Sequence, residues 1–223
     1  MENKQIFVEH PREFFARTQV MTRSYMCIAE SEYSNCILVE NADTSNFDDF
    51  ELAEQSNKAT AHALKTIVFS AMCVEAAIND YAGTHLGDKY FENHLCNLDV
   101  VSKWVVIPKL VCGKEIKKSS AAFGALKQLI RSRNQLVHSK SRELDPTNPK
   151  LMEQMEAANI KFNSDFNNSL KAVYLLAMEM DNLVGIYNPI RMMDRASPWF
   201  DELAEPVKVL FDECKKIVTK NNS

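Results

Sequence analysis

The chain has 223 residues, of which 46% are hydrophobic and 25% are charged; this composition is typical of a folded globular protein and excludes a disordered or collagen-like chain. Its five glycines are too widely spaced to form the glycine-rich loops of the common nucleotide-binding fingerprints. The 26 basic and 30 acidic residues give a net charge of -4, which at first argues against a nucleic-acid partner.

The first fifty residues carry mixed signals. Residues 14–29 favour a helix, residues 36–39 are a short β-favouring run, and the Asn/Asp-rich residues 41–49 favour a loop. We therefore treat residues 1–50 as an N-terminal extension without assigning its structure.

The rest of the chain has the spacing of amphipathic helices. Apolar residues recur every three or four positions in residues 56–81, 98–107, 123–138, 151–187 and 198–218. Pro108 is expected to end the second of these helices, Ser119 or Ser120 to cap the third, and Gly185 with Pro189 to end the fourth. The last helix is expected to be interrupted, or to begin again, near Pro206.

This pattern predicts an all-α fold, an antiparallel helical bundle of about four to six helices. We expect the bundle to span residues 51–188, with residues 189–223 forming a C-terminal helix that packs on it.

Cysteine usage and hydropathy indicate a cytoplasmic protein with reduced thiols. The six cysteines include no Cys-x-x-Cys pair, and the N-terminus lacks an apolar signal core. No apolar run approaches the roughly 20 residues that span a bilayer. His94, Cys96 and Cys112 lack the two tight ligand pairs of a structural zinc site, so neither a metal nor a cofactor is expected.

The charge is unevenly distributed along the chain. Residues 103–142 contain ten basic residues and one acidic residue, a local net charge of +9, so the remaining sixteen basic and 29 acidic residues carry -13. A solvated, lysine-rich surface would account for this run, but the same segment would also bind a polyanion.

Arg131, Arg133, Asn134 and His138 lie close together within this basic segment. Cleavage of an RNA phosphodiester without a metal needs a base, an acid and a cation, and histidine and arginine supply these groups. At 100° per residue, Arg131, Asn134 and His138 lie nearly in line on a helix, whereas Arg133 is offset but long enough to reach. Both arginines remain candidates, and spacing alone would equally fit a surface pair or a helix C-terminus favoured by a protonated histidine.

Residues 133–138 read Arg-Asn-Gln-Leu-Val-His, which resembles the signature of the HEPN superfamily of small helical bundles. That signature is an arginine followed after four to six residues by a histidine, often as Arg-Asn-x-x-Val-His. Two earlier blocks also resemble the family: residues 70–79, with Glu75 and Asn79 one turn apart, and residues 103–113. The resemblance covers residues 60–183.

The resemblance implies a metal-independent endoribonuclease in which the bundle forms a homodimer and two Arg/His pairs meet in one cleft. His138 would be the general acid/base, Arg133 the ligand of the phosphate and transition state, and Asn134 the polar residue that orients them. Glu75 would either pair with Arg133 or be a carboxylate at the edge of an apolar stripe.

Four further basic residues are expected to contact RNA phosphates: Lys127, Arg131, Lys140 and Arg142. Related two-component toxins carry a tyrosine that is modified at the position of Lys140, so this chain departs from them there. The resemblance implies a toxin or antiphage-defence role with an antitoxin or regulatory partner. The alternatives are a non-catalytic domain that binds RNA or a nucleotide, and a structural module that binds another protein.

Overall fold

The structure is a computed structural model that describes residues 17–141, 143, 145–190 and 203–221. In this part of the chain it contains seven α-helices and no β-strand, so the predicted all-α class is confirmed. The helices are α1 (Thr22–Glu40), α2 (Asp49–Leu86), α3 (Asp88–His94), α4 (Val100–Cys112), α5 (Ala121–Val137), α6 (Leu151–Val184) and α7 (Glu205–Asn221).

Helix α2 is the centre of the bundle, because it packs against α1, α3, α4, α5 and α6. A reciprocal pair of hydrogen bonds between Asp48 and Glu51 caps its N-terminus, which explains why the helix begins several residues before the predicted residue 56. Its length and hydropathy would suffice to span a bilayer, but half of its most apolar stretch is buried inside the bundle. That is the pattern of a core helix in a soluble protein.

The β-favouring run at residues 36–39, for which no structure was assigned, is helical and lies at the end of α1. Met26, Ala29, Tyr33 and Cys36 follow one another at three- and four-residue steps, and all four are buried. Local β propensity is weaker than the burial of such a continuous helical face against α2. The segment before residue 51 therefore contributes a helix to the main hydrophobic core.

The expectation that Pro108 ends a helix is also wrong. Helix α4 continues through Pro108 to Cys112 and ends at Gly113, which adopts the left-handed conformation with φ 70°. Proline removes one backbone hydrogen bond, but Ile107 and Val111 on either side of it are fully buried. Packing of this face thus outweighs the local cost of the proline.

The remaining boundaries lie close to the predictions, with one helix unforeseen. Gly185 ends α6, as predicted, and a short 3-10 turn follows over Gly185–Tyr187. Helix α7 has Pro206 in its first turn, in agreement with a helix that begins near this residue, while the predicted part at residues 198–202 lies outside the described residues. Helix α3 was not predicted, since seven residues are too few to show a helical period.

Helices α5 and α6 run antiparallel and form one side of the bundle. Asn168 donates a hydrogen bond to the carbonyl oxygen of Ala125, and Lys161 donates to Gln135, so later residues of α5 meet earlier residues of α6. Helix α6 has 34 residues against 17 in α5, and its first three turns are almost entirely exposed.

Candidate functional site

Helix α5 carries the Arg131–His138 segment and is fixed at both ends. At its start, the Ser120 hydroxyl accepts a hydrogen bond from the backbone N–H of Phe123, so the predicted serine cap is confirmed. At its end, His138 is the C-cap residue, and its backbone N–H bonds to the carbonyl oxygen of Asn134. Leu126 and Leu129 are fully buried and hold the helix on the core.

A broad groove of about 1370 Å³ runs between α5 and α6, and we call it the α5–α6 groove. Four residues of the predicted site line it, namely Lys127, Arg131, Asn134 and His138. The other lining residues come from α4 with its N-cap, from α5 and from α6: Asp99, Val101, Gln128, Ile130, Gln135, Ala157, Ile160, Lys161, Ser164 and Asp165. The helical face predicted from 100° steps is therefore the face that borders the groove.

Arg133 lies on a different face of α5 and is not among the residues that line the groove. Its Nη2 donates to Oε2 of Glu75 on α2 at 2.6 Å, so of the two readings of Glu75, the ion pair is the one observed. Its Nη1 donates to Oδ1 of Asn134 at 3.0 Å. Arg133 thus connects α2 to the groove through Asn134, while Arg131 lies in the groove itself.

Besides Arg131, three more residues are predicted to contact RNA, and the structure describes two of them, Lys127 and Lys140. Lys127 lines the groove one turn before Arg131, and its Nζ lies 5.9 Å from the centre of the Phe123 ring. Lys140 is exposed just beyond the helix. Arg142 lies outside the described residues.

A polar network on α6 forms the facing wall of the groove, and sequence reasoning missed it. Lys161 donates to Asp165 at 2.6 Å and to Oε1 of Gln135 at 2.7 Å, and Gln128 donates to Asp165 at 3.1 Å. Burial by itself raises the pKa of Asp165, but the hydrogen bonds from Lys161 and Gln128 outweigh it and leave the pKa lowered. The four-residue spacing of Lys161 and Asp165 was a signal for the ion pair, but not for its position in the groove.

Asp99 is the second carboxylate in the groove, at the start of α4. Its side chain accepts hydrogen bonds from the backbone N–H and the hydroxyl of Ser102, and these lower its pKa. Asp99 is therefore committed to capping α4. Both groove carboxylates have partners within the protein, whereas Arg131 has no carboxylate partner among the described residues.

No group of three His, Cys, Asp or Glu side chains in the described part of the chain is arranged to hold a metal ion. Cys96 and Cys112 each donate to a carbonyl oxygen one turn earlier in their own segment. The side chains that line the groove include arginine, histidine, lysine and carboxamide groups besides the two carboxylates.

No family model matches the chain, and no significantly similar curated protein or solved structure was found. The HEPN resemblance thus remains a prediction that depends on the quoted residues.

Proposed function

We propose that the chain is a metal-independent endoribonuclease of the HEPN type that acts on single-stranded RNA. The observation that carries this proposal is that Arg131, Asn134 and His138 line one groove within the most basic segment of an otherwise acidic chain. An acidic exterior with one basic site limits non-specific binding to RNA and concentrates phosphate contacts at the groove.

The reaction needs a base and an acid at the same phosphate. The base removes the proton from the 2′-hydroxyl, whose oxygen attacks phosphorus. The bond from phosphorus to the 5′-oxygen then breaks, the acid protonates that oxygen, and the products are a 2′,3′-cyclic phosphate and a 5′-hydroxyl. A cation stabilises the extra negative charge of the transition state.

One histidine cannot hold both protonation states at once, so we propose that the site is completed in a homodimer. His138 of one copy would act as the base and His138 of the second copy as the acid. Both imidazoles must reach the same phosphate, and His138 is free to do so because it is exposed at the very end of α5.

The exposed first turns of α6 are evidence for a binding partner at this end of the bundle. Met152 and Met155 precede Leu170 and Val173 by about five full helical turns, so each pair shares one helical face. Leu170 and Val173 are fully buried, whereas Met152 is 75% exposed and Met155 is 49% exposed. The apolar stripe of α6 therefore continues beyond the part of the bundle that covers it, as expected of an interaction surface.

A toxin or antiphage-defence role in the cytoplasm, with an antitoxin or regulatory partner, follows from the family resemblance and belongs to the same proposal. Such a nuclease would have to be restrained in its own cell. Expression of the wild-type chain alone is expected to arrest growth, and expression of His138→Ala is not. Harmless expression of the wild type would count against a toxin.

A second candidate function is RNA or nucleotide binding without cleavage. The specific observation that favours it is the ion pair of Arg133 with Glu75, which turns the signature arginine away from the groove. A chain that uses the groove only for binding would bind RNA with a clear salt dependence but would form no products, in the wild type as in His138→Ala.

Cleavage of end-labelled single-stranded RNA in EDTA tests the ribonuclease directly. We expect the wild type to form 2′,3′-cyclic phosphate products, and His138→Ala to cleave at least about a hundredfold more slowly, since general acid-base groups contribute about 10²–10⁴. His94→Ala is the matched control, because His94 is also exposed at a helix end but lies outside the groove.

Light scattering tests the dimer. We expect a species of twice the 25.4 kDa chain mass at micromolar concentration. Met152→Glu should shift it to the monomer and slow cleavage, whereas Val209→Glu, at a residue on α7 that is 52% exposed, should change neither. A wild-type chain that is monomeric under cleaving conditions would exclude the shared site.

A further inference from the structure

The two carboxamides at the end of α5 have a fixed orientation. Oδ1 of Asn134 accepts from Arg133 at 3.0 Å, and Oε1 of Gln135 accepts from Lys161 at 2.7 Å. Guanidinium and ammonium groups can only donate hydrogen bonds, so the oxygen of each amide must be the atom that faces the cation. The NH₂ group of each amide is therefore left to other partners, and both residues line the α5–α6 groove.

The α5 wall of the groove is consequently rich in donors. Besides the two NH₂ groups it presents the guanidinium of Arg131, the ammonium of Lys127 and the exposed imidazole of His138. A ligand that matches this wall must offer hydrogen-bond acceptors and negative charge, as the oxygens of a phosphodiester do.

The two arginines differ in the charge that they can offer to such a ligand. Arg133 is 2.6 Å from a Glu75 oxygen, and its side chain is 23% exposed, so its charge is already neutralised within the protein. Arg131 is exposed in the groove and forms no ion pair with any described residue. A new phosphate contact would therefore displace no internal partner of Arg131, but it would have to break the Glu75 pair of Arg133.

We infer that Arg131 is the arginine that contacts the RNA phosphate, and that Arg133 is a positioning residue. Held by Glu75, Arg133 binds the oxygen of Asn134 and so turns the NH₂ group of Asn134 toward the phosphate. This assignment reverses the roles that the family resemblance gives to Arg133 and Asn134. The choice of RNA as the ligand rests on the proposed function. The assignment itself concerns binding and does not require that the RNA is cleaved.

The salt dependence of binding separates the two arginines. The probe is a fluorescent single-stranded 2′-O-methyl oligonucleotide, which lacks the attacking hydroxyl and is not cleaved, and its affinity is measured by anisotropy at several salt concentrations. Each phosphate contact contributes about 0.7 to the slope of log affinity against log salt for single strands. Arg131→Gln should lower the slope by about this amount.

The matched variant removes Arg133 without changing net charge. In the double variant Glu75→Gln with Arg133→Gln, the slope should stay at the wild-type value while affinity falls about tenfold, because the NH₂ group of Asn134 is no longer held toward the phosphate. Lys58→Gln, at an exposed residue paired with Glu54 on α2, is the control for loss of a surface cation and is expected to lower the slope by less than Arg131→Gln does. The assignment would be overturned if the slope fell by about 0.7 in the double variant and stayed unchanged in Arg131→Gln.

Asn134→Asp gives a second readout with opposite outcomes. The carboxylate is a better acceptor for Arg133 but carries no NH₂ group. If Asn134 donates to the phosphate, affinity should fall at least about tenfold, and a loss should persist at high salt, because a hydrogen-bond donor is gone as well as a like charge added. If Asn134 served only to orient Arg133, the loss would come from the added charge alone and would disappear as salt screens it, and our assignment would be wrong.

These outcomes are separable from the fate of the proposed ribonuclease. Binding with the expected slopes but no cleavage of natural RNA would support the assignment and leave the non-catalytic function. Cleavage with the slopes reversed would support the nuclease and overturn the assignment. No binding of the probe to the wild type would also overturn it. Thermal unfolding of each variant shows whether it is folded, and if the double variant unfolds, Arg131→Gln and Asn134→Asp still decide the assignment.

Discussion

Replacement of Glu75 with glutamine removes the negative charge that holds Arg133 against α2, while the side chain keeps nearly the same shape. The lost interaction is a charge-assisted hydrogen bond of 2.6 Å between α2 and α5. In the Glu75→Gln variant, Arg133 keeps its charge but has lost its carboxylate partner, so we expect a less stable fold as well as a less ordered Asn134.

The exposure of the pair sets the size of the effect. The side chains of Arg133 and Glu75 are 23% and 33% exposed, between the surface and the interior. Exposed ion pairs contribute about 0–1 kcal/mol, and removal of one partner from a fully buried pair costs about 3–5 kcal/mol. We therefore expect a loss of about 1–2 kcal/mol, which lowers the Tm by about 2–8 °C in a chain of this size.

Scanning calorimetry of four variants measures this loss: Glu75→Gln, Arg133→Gln, the double variant and a control. Glu54→Gln is the matched control, because Glu54 and Lys58 form a pair on the surface of α2 with side chains that are 53% and 60% exposed. Its cost should stay below about 0.5 kcal/mol. In a double-mutant cycle, Glu75→Gln and Arg133→Gln should couple by about 1 kcal/mol. If Glu75→Gln lowers the Tm no more than the control does, or if the two changes are additive, the pair does not stabilise the fold.

Three further outcomes follow from the packing. Leu129→Ala should lower the free energy of unfolding in urea by about 2–5 kcal/mol, because Leu129 is fully buried. Leu110→Ala should lower it much less, because Leu110 is partly exposed, and equal losses would contradict the observed core. Thiol reagents at pH 8 should modify the exposed Cys27 first and Cys214 only on unfolding, since burial raises the pKa of Cys214 to about 12; equal rates would contradict this. Burial alone would raise the pKa of Asp165, but its hydrogen bonds lower it. Asp165→Asn should therefore destabilise the fold at neutral pH, and the loss of stability should shrink as the pH falls through the pKa of the folded state. A difference in stability that does not depend on pH would contradict the lowered pKa.

The helical class was predictable from the sequence because each long helix buries one continuous face. The limits of α5 could be placed within a few residues, since Ser120 is a good cap and the apolar spacing ends at His138. Residues 36–39 stayed unassigned and the expectation at Pro108 was wrong because packing against other helices outweighs a local preference at both places. Secondary-structure propensities of neighbouring residues do not describe how distant helices pack together.

The candidate site was predictable only in part, for the same reason. The alignment of Arg131, Asn134 and His138 follows from the geometry of a single helix. The partner of Arg133 depends on how α2 packs against α5, and the sequence left Glu75 open between two roles. The contribution of Lys161 to the groove depends on α6, a separate helix far along the chain.

Cleavage of labelled single-stranded RNA in EDTA is the measurement that bears most directly on the function. The proposal predicts 2′,3′-cyclic phosphate products from the wild type and from His94→Ala, and at least about a hundredfold slower cleavage by a folded His138→Ala. Intact RNA after incubation of the dimeric wild type with varied sequences, or equal cleavage by wild type and His138→Ala, would contradict it.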